Sequence, residues 1–358
     1  MARHNEWPRR AIVVAAVLGG AAPVGCGAGG YPELAAPGYL RSGSPRAVAA
    51  DLFKKASELE PDRTGPLDIA GRGWLKYGYD DEADKLLARV LSMAPDDGYK
   101  LADIAAAYIE AHREDVGLRY WTAAKAVAAS KPRAWIPLAA AWARVGNVAR
   151  AEEFFERALT LKAGLGMSNA RKQREMGLAW LDAGDKDRAE SCLARALTLG
   201  PEDGYQMIDI GAAWLIAGEH DKGEALLKKG FTLAVSSDPI RANRDVAAAY
   251  VAVGDLAAAE RFAKGAIAAD PGEDDTYLVL GRAFLKAGKV PEAEDMLGKA
   301  LRAGSDDWEL LGLVGVEWLS LEPAGRGAAR PAPAAPEAEP SPGRRPSARP
   351  AGAPTLRR

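Results

Sequence analysis

Gly71-Arg-Gly-Trp74 returns as Ala105-Ala-Ala-Tyr108, Ala139-Ala-Ala-Trp142, Gly177-Leu-Ala-Trp180, Gly211-Ala-Ala-Trp214, Ala247-Ala-Ala-Tyr250, Gly281-Arg-Ala-Phe284 and Gly315-Val-Glu-Trp318. A small residue stands three places before an aromatic one, eight times. The step is 34 residues except at two short insertions, before Ala170 and before Ile240. Self-similarity at a fixed period of this length implies a stacked repeat array, in which each unit buries its apolar face only against its neighbours.

Frames start at residues 64, 98, 132, 170, 204, 240, 274 and 308. Each holds two helical patterns. The first carries the small and aromatic slots and usually ends in glycine: Gly78, Gly146, Gly184, Gly218, Gly254 and Gly288. Glycine just past a helix accepts the left-handed conformation that turns the chain back. The second opens near a small residue such as Ala83, Ala151 or Gly223. Four places on comes a bulky one (Leu87, Trp121, Phe155, Leu193, Leu227, Leu297), and three further another small one (Ala124, Ala158, Ala196, Gly230). Residues three and four apart share a helix face, so these slots describe packing.

The pattern resembles the tetratricopeptide repeat family over residues 46–322, with seven full repeats at 64–97, 98–131, 132–165, 170–203, 204–237, 240–273 and 274–307. The resemblance implies an all-α fold, a right-handed superhelical α-solenoid of stacked helix-turn-helix repeats, that binds protein segments in a concave groove lined by the first helices. Departures are modest. His112 replaces the turn glycine of the second frame, and Gln173 and Asn243 replace apolar residues. The ends are half-repeats. Ser44-Pro45, Ala49, Phe53 and Ala56 read as a second helix without its first, and residues 308–322 as a first helix without its second. That apolar last helix either caps the array or continues into a partner.

Arg9-Arg10 precede the apolar run 11–18, with small residues leading to Cys26. The run is too short to span a membrane but fits the core of an export signal. It resembles a bacterial lipoprotein signal: 1–25 removed, Cys26 acylated, and 26–45 a flexible tether. Pro23 departs from that pattern, and ordinary secretory cleavage and an uncleaved leader are the alternatives. Residues 323–358 are rich in Pro, Ala and Arg and read as a disordered tail. Residues 1–10 carry +2 and the tail +5, so the body carries −9 of the net −2. An acidic body argues against nucleic acid as the main partner.

No catalytic motif is found, no cofactor or metal is expected, and the chain reads as a binding protein and not an enzyme. His4, His112 and His220 are isolated, and the acidic runs 80–82, 96–97 and 273–275 lie near helix starts, where negative charge complements the helix dipole. Groove-facing slots, the second, fifth and ninth of each frame, hold Arg133, Arg171, Arg174, Arg241, Arg244 and Arg282, with Tyr99 and Tyr205 in the same rows. Guanidinium groups match carboxylates bidentately, so an acidic or extended peptide segment is the expected ligand. The competing reading pairs these arginines with Asp103, Glu175, Asp209 and Asp245. In some family members lysine and asparagine grip a C-terminal carboxylate. Those slots here hold Asp68 and Arg72, which does not support that mode. The expected function is a protein–protein interaction scaffold in the bacterial envelope, lipid-anchored and facing the periplasm, serving assembly of a pilus, secretion or outer-membrane complex. The alternative is a cytoplasmic adaptor or chaperone cofactor.

Overall fold

A computed structural model describes residues 31–162 and 168–322. Among the described residues, sixteen α-helices follow two short 3-10 turns, Pro32–Ala35 and Tyr39–Arg41. They are α1 (Pro45–Leu59), α2 (Thr64–Lys76), α3 (Asp80–Met93), α4 (Gly98–Glu110), α5 (Glu114–Ala128), α6 (Pro132–Arg144), α7 (Val148–Thr160) and α8 (Asn169–Asp182). The chain continues with α9 (Lys186–Leu199), α10 (Gly204–Ile216), α11 (His220–Ala234), α12 (Pro239–Ala252), α13 (Leu256–Ala269), α14 (Asp274–Lys286), α15 (Val290–Ala303) and α16 (Trp308–Leu319). Even-numbered helices α2 to α14 open the seven hairpins and odd-numbered ones close them. The leader 1–25, Cys26 and the tail 323–358 lie outside the described residues, as do residues 163–167.

The small–aromatic signature fixes both the turn and the packing. In all seven hairpins the carbonyl of the aromatic residue accepts the N–H five residues on, from Tyr79→Trp74 at 3.0 Å to Lys289→Phe284 at 2.8 Å. That bond is the long one of a Schellman turn. It requires a left-handed residue in between, and the six glycines supply it with φ of 70 to 86°. His112 is forced to φ 60° at the same place. The small slot then faces the bulky slot of the following helix. A Cβ added to Gly71 would lie 2.6 Å from Leu87 Cδ2, and one on Gly281 2.6 Å from Leu297 Cδ2. In the fifth hairpin glycines face each other, and a Cβ on Gly230 would meet the Gly204 carbonyl at 2.6 Å.

The two half-repeats complete one another. α16 packs along α1, and also on α2, as the first helix of an eighth hairpin. Gly315, the small slot of α16, would place a Cβ 2.8 Å from Phe53 Cε1, the bulky slot of α1. This is the Gly71–Leu87 contact, made between opposite ends of the chain. Gly65 approaches the Trp308 ring, Gly73 approaches Val316, and Gly312 approaches Ile69. The Arg46 N–H donates to Glu322 Oε2 at 3.2 Å. Every even-numbered helix therefore packs on the one before and the one after it, and α16 on α2 closes the circuit. Of the two outcomes left open for the last helix, the structure shows neither an exposed cap nor a waiting edge: α16 is covered by the start of the same chain. Leu310, Leu311, Val314 and Trp318 are buried there in one cluster with Leu52 and Ala56. Each buried side chain of this size contributes about 1.5–3 kcal/mol.

The expected tether is corrected over its described part. From Tyr31 onward the segment is a strap across α1 and α15. Leu34 and Leu40 are 1% and 2% exposed. The Tyr39 hydroxyl donates to Asp51 Oδ2 at 2.6 Å, and Arg41 pairs with Glu294 at 2.7 Å. Pro37 and Gly38 preclude a helix where α16 already occupies the first-helix position.

Replacing His112 by Gly removes a strained left-handed residue and should raise stability by about 0.5–1 kcal/mol. Gly230→Ala drives a methyl into the Gly204 backbone and should lower it by about 1–3 kcal/mol. Urea midpoints of the two variants, moving in opposite directions, check both.

Candidate binding surface on the inner helices

The even-numbered helices form an inner wall, because they alone pack on one another around the circuit. Its charged side chains fall into three rows set by helical position, and the rows differ in how much of their charge is already used.

The first row lies at the N-terminal turns. Tyr99 is on α4, Arg133 on α6, Arg171 on α8, Tyr205 on α10 and Arg241 on α12. Ser168 and Asp238 cap α8 and α12 through the backbone N–H groups of Arg171 and Arg241, which fixes where those side chains start. The Arg133 guanidinium lies 5.0 Å above the Tyr99 ring, and that of Arg241 lies 4.2 Å above Tyr205. The Tyr205 hydroxyl reaches the Asp238 carbonyl at 3.3 Å. Arg171 and Arg241 sit 3.5 and 3.4 Å from Glu175 and Asp245, and their side chains remain 47% and 45% exposed.

The second row is one turn deeper. Arg174 bridges Glu175 at 2.9 Å and Asp209 at 3.0 Å, and Arg244 bridges Asp245 at 2.9 Å and Asp275 at 3.9 Å. These arginine side chains are 17% and 15% exposed, and Arg174 Nε is buried without an acceptor. In the third row Arg72 forks onto Asp68 with two bonds of 2.8 Å, and Arg282 pairs with Glu317 at 2.7 Å. The Arg282 pair joins α14 to the closing helix α16. Between α12 and α14 the wall opens into a cavity of about 440 Å³ lined by Arg241, Arg244, Asp245, Glu273 and Asp275, so it presents both signs of charge.

Burial acts on the acids of this wall. Loss of solvent raises the Asp209 carboxyl to about 6, outweighing the help of Arg174, with Asp245 adding like charge. Burial also raises Asp103, against the opposing pull of Arg72 and Arg133. Asp103 is therefore a neighbour in charge, while Glu175, Asp209 and Asp245 are direct partners.

A fourth set was missed from sequence. Arg144 joins Glu110 and Asp182 across α4, α6 and α8 at 2.5 and 2.8 Å. The signal was legible, since the thirteenth slot reads Lys76, Glu110, Arg144, Asp182 in successive frames. At the third slot, Lys172 and Gln206 reach back to carbonyls near the ends of the preceding second helices, Leu161 at 2.6 Å and Ala196 at 2.9 Å. No group of three His, Cys, Asp or Glu among the described residues is placed to hold a metal.

Residues 250–315 match one tetratricopeptide repeat model and residues 132–157 another. The chain carries tetratricopeptide repeats in these stretches. The matched stretches fall on α12 to α16 and on α6–α7. No curated protein sequence matches the chain. Among solved structures it is similar to the Cut9–Hcn1 hetero-tetramer of the APC/C, at 17% identity and TM-score 0.33, over 67% of this chain and 47% of that one. It is also similar to human IFIT1 dimer with PPP-AAAA, at 15% and 0.33 over 70% and 67%. A third is YrrB, described as a TPR protein with an unusual peptide-binding site, at 17% and 0.25 over 63% and 95%. The tetratricopeptide chain thus spans about half the length of the first of these.

The raised Asp209 gives a signed pH dependence. Between 3.8 and about 6 the folded state holds a proton that the unfolded state has released. Stability from this group therefore falls as pH rises through that window. Asp209→Asn should flatten the fall. The difference between wild-type and variant urea midpoints across the window tests the sign.

Proposed function

We propose that this tetratricopeptide protein is an interaction scaffold whose first inner row, Tyr99, Arg133, Arg171, Tyr205 and Arg241, holds an extended acidic segment of a protein partner. What supports this is the division of the arginines by burial. Arg174, Arg244 and Arg282 are committed to carboxylates of the wall. Arg171 and Arg241 keep nearly half their side-chain surface in water, and their contacts to Glu175 and Asp245 measure 3.5 and 3.4 Å. An incoming carboxylate competes better for the second set, because a partly solvated pair is worth about 0–1 kcal/mol and a bidentate match exceeds it. Tyr99 and Tyr205 add flat apolar surface beside the charge.

The reading is of a binding protein rather than an enzyme. His112 sits in the turn between α4 and α5, His220 opens α11, and the buried acids face arginines of their own wall. Anchoring in a bacterial envelope belongs to the same proposal and rests on sequence alone: the Arg9-Arg10 pair, the apolar run 11–18 and Cys26. A tethered scaffold of this kind suits assembly of a pilus, secretion or outer-membrane machine.

Charge reversal of the exposed row, Arg133→Glu, Arg171→Glu and Arg241→Glu, should cut partner recovery in affinity purification at least tenfold, about 1.4 kcal/mol. The fold should remain intact by circular dichroism. Unchanged recovery would remove this row as the contact surface. Metabolic labelling with palmitate should mark the wild type and not Cys26→Ala. Absence of label from both would favour the cytoplasmic adaptor.

A further inference from the structure

The contact that closes the circuit joins two different surfaces of one chain. One is the head: the strap, α1 and the face of α2 carrying Gly65, Ile69 and Gly73. The other is the foot: α15 with Ser305 and α16. Strap and foot meet through the Tyr31 N–H to the Ser305 carbonyl at 3.4 Å and through Arg41–Glu294. α16 meets α1 through Gly315 against Phe53, and α2 through Trp308, Val316 and Gly312 against Gly65, Gly73 and Ile69. A contact between unlike surfaces closes on itself when the rotation per unit fits, and runs on head to tail when it does not. Here one chain supplies enough hairpins to close alone.

We propose that the same head and foot also join separate copies, so that this protein assembles head to tail through its split repeat. Every contact of the closed form has an equivalent between copies, since strap, α1 and α2 travel together and α15 and α16 travel together. What changes is only the path of the solenoid, which must rise slightly out of the plane to carry the foot past its own head, like a lock washer. Opening without a second copy leaves the α16 face bare, including Leu310, Leu311, Val314 and Trp318, all 4% exposed or less in the closed form. A patch of that kind seeks another apolar surface, and the head of a neighbour is its matching one. Closure within one chain is favoured by an effective concentration on the order of millimolar. Exchange therefore appears when opened chains are concentrated or when their own head is blocked.

Complementation tests this in the full-length protein. Phe53→Asp spoils the head and leaves the foot intact, and Val314→Asp spoils the foot and leaves the head intact. Neither variant closes alone. Mixed in equal amounts, the two should form a one-to-one complex by light scattering, joined by the one good head and the one good foot. Mixing that yields only the two separate species, each still helical by circular dichroism, overturns the proposal. A second arm needs no damaged interface. A Cβ on Gly312 would lie 3.5 Å from Ile69 Cβ, at the edge of disulfide range. The variant Ile69→Cys, Gly312→Cys, with Cys26→Ala and Cys192→Ala, is refolded and oxidised at about 10 μM, far below that effective concentration, and at about 1 mM, comparable with it. Cross-links within one chain at the low value and a ladder of linked chains at the high value support head-to-tail joining. Cross-links within single chains at both values count against it.

Discussion

The pairing of α16 with α1 is the contact on which the rest of the molecule depends. Seven hairpins stacked in a row would leave α2 bare at one end and α14–α15 at the other, each with an apolar face in water. Solenoids ordinarily meet this with polar capping elements. Here the two bare faces cover each other, and Phe53 fills the groove beside Gly315 as Leu87 fills the one beside Gly71. The strap then binds α1 to α15 outside that joint. Three features that look separate in sequence are parts of one closure: the headless first helix, the tailless last helix and the segment broken by Pro37 and Gly38.

The closure also orders the charges. An inner wall that returns on itself brings the N-terminal turns of successive first helices side by side, and their arginines meet acids from the next helix as well as from their own. Arg174 reaching Asp209 and Arg282 reaching Glu317 are both contacts across a helix boundary. The deep rows knit neighbouring repeats together, while the row at the helix starts stays in water. Surface and structure are thus divided by depth on the same helices, with about one helical turn between Arg171 and Arg174.

Much of the fold was legible because the packing slots are short-range and periodic. The aromatic residue, the turn glycine five places before the next small slot and the bulky residue beyond it each follow from spacing alone. The closure was not legible, because α1 and α16 are too far apart in sequence for periodicity to link them. Both halves were visible as halves, and only the bend accumulated over seven hairpins decides that they meet. The strap was misread for a related reason: Leu34 and Leu40 are isolated among Gly, Pro and Ser, and what buries them is α15, more than 240 residues away. At the inner wall the arginine slots were readable from position, and so were their acidic neighbours. What position could not supply was depth, the difference between Arg171 at 47% exposure and Arg174 at 17%, held between two carboxylates. The Glu110–Arg144–Asp182 bridge was readable in the thirteenth slot and was passed over because no single frame contains it.

The split repeat makes the break between α16 and α1 a matter of where a cycle of hairpins is interrupted. The other first and second helices are joined by three-residue turns, and the Arg46 backbone touches the Glu322 side chain where such a turn would run. A chain with that gap bridged and a different hairpin turn opened would hold the same eight hairpins in a permuted order. The cut as it stands falls inside a repeat, not between two. Loss of either end therefore leaves an unpaired helix at the other, and an array of seemingly independent units answers to truncation as a single body.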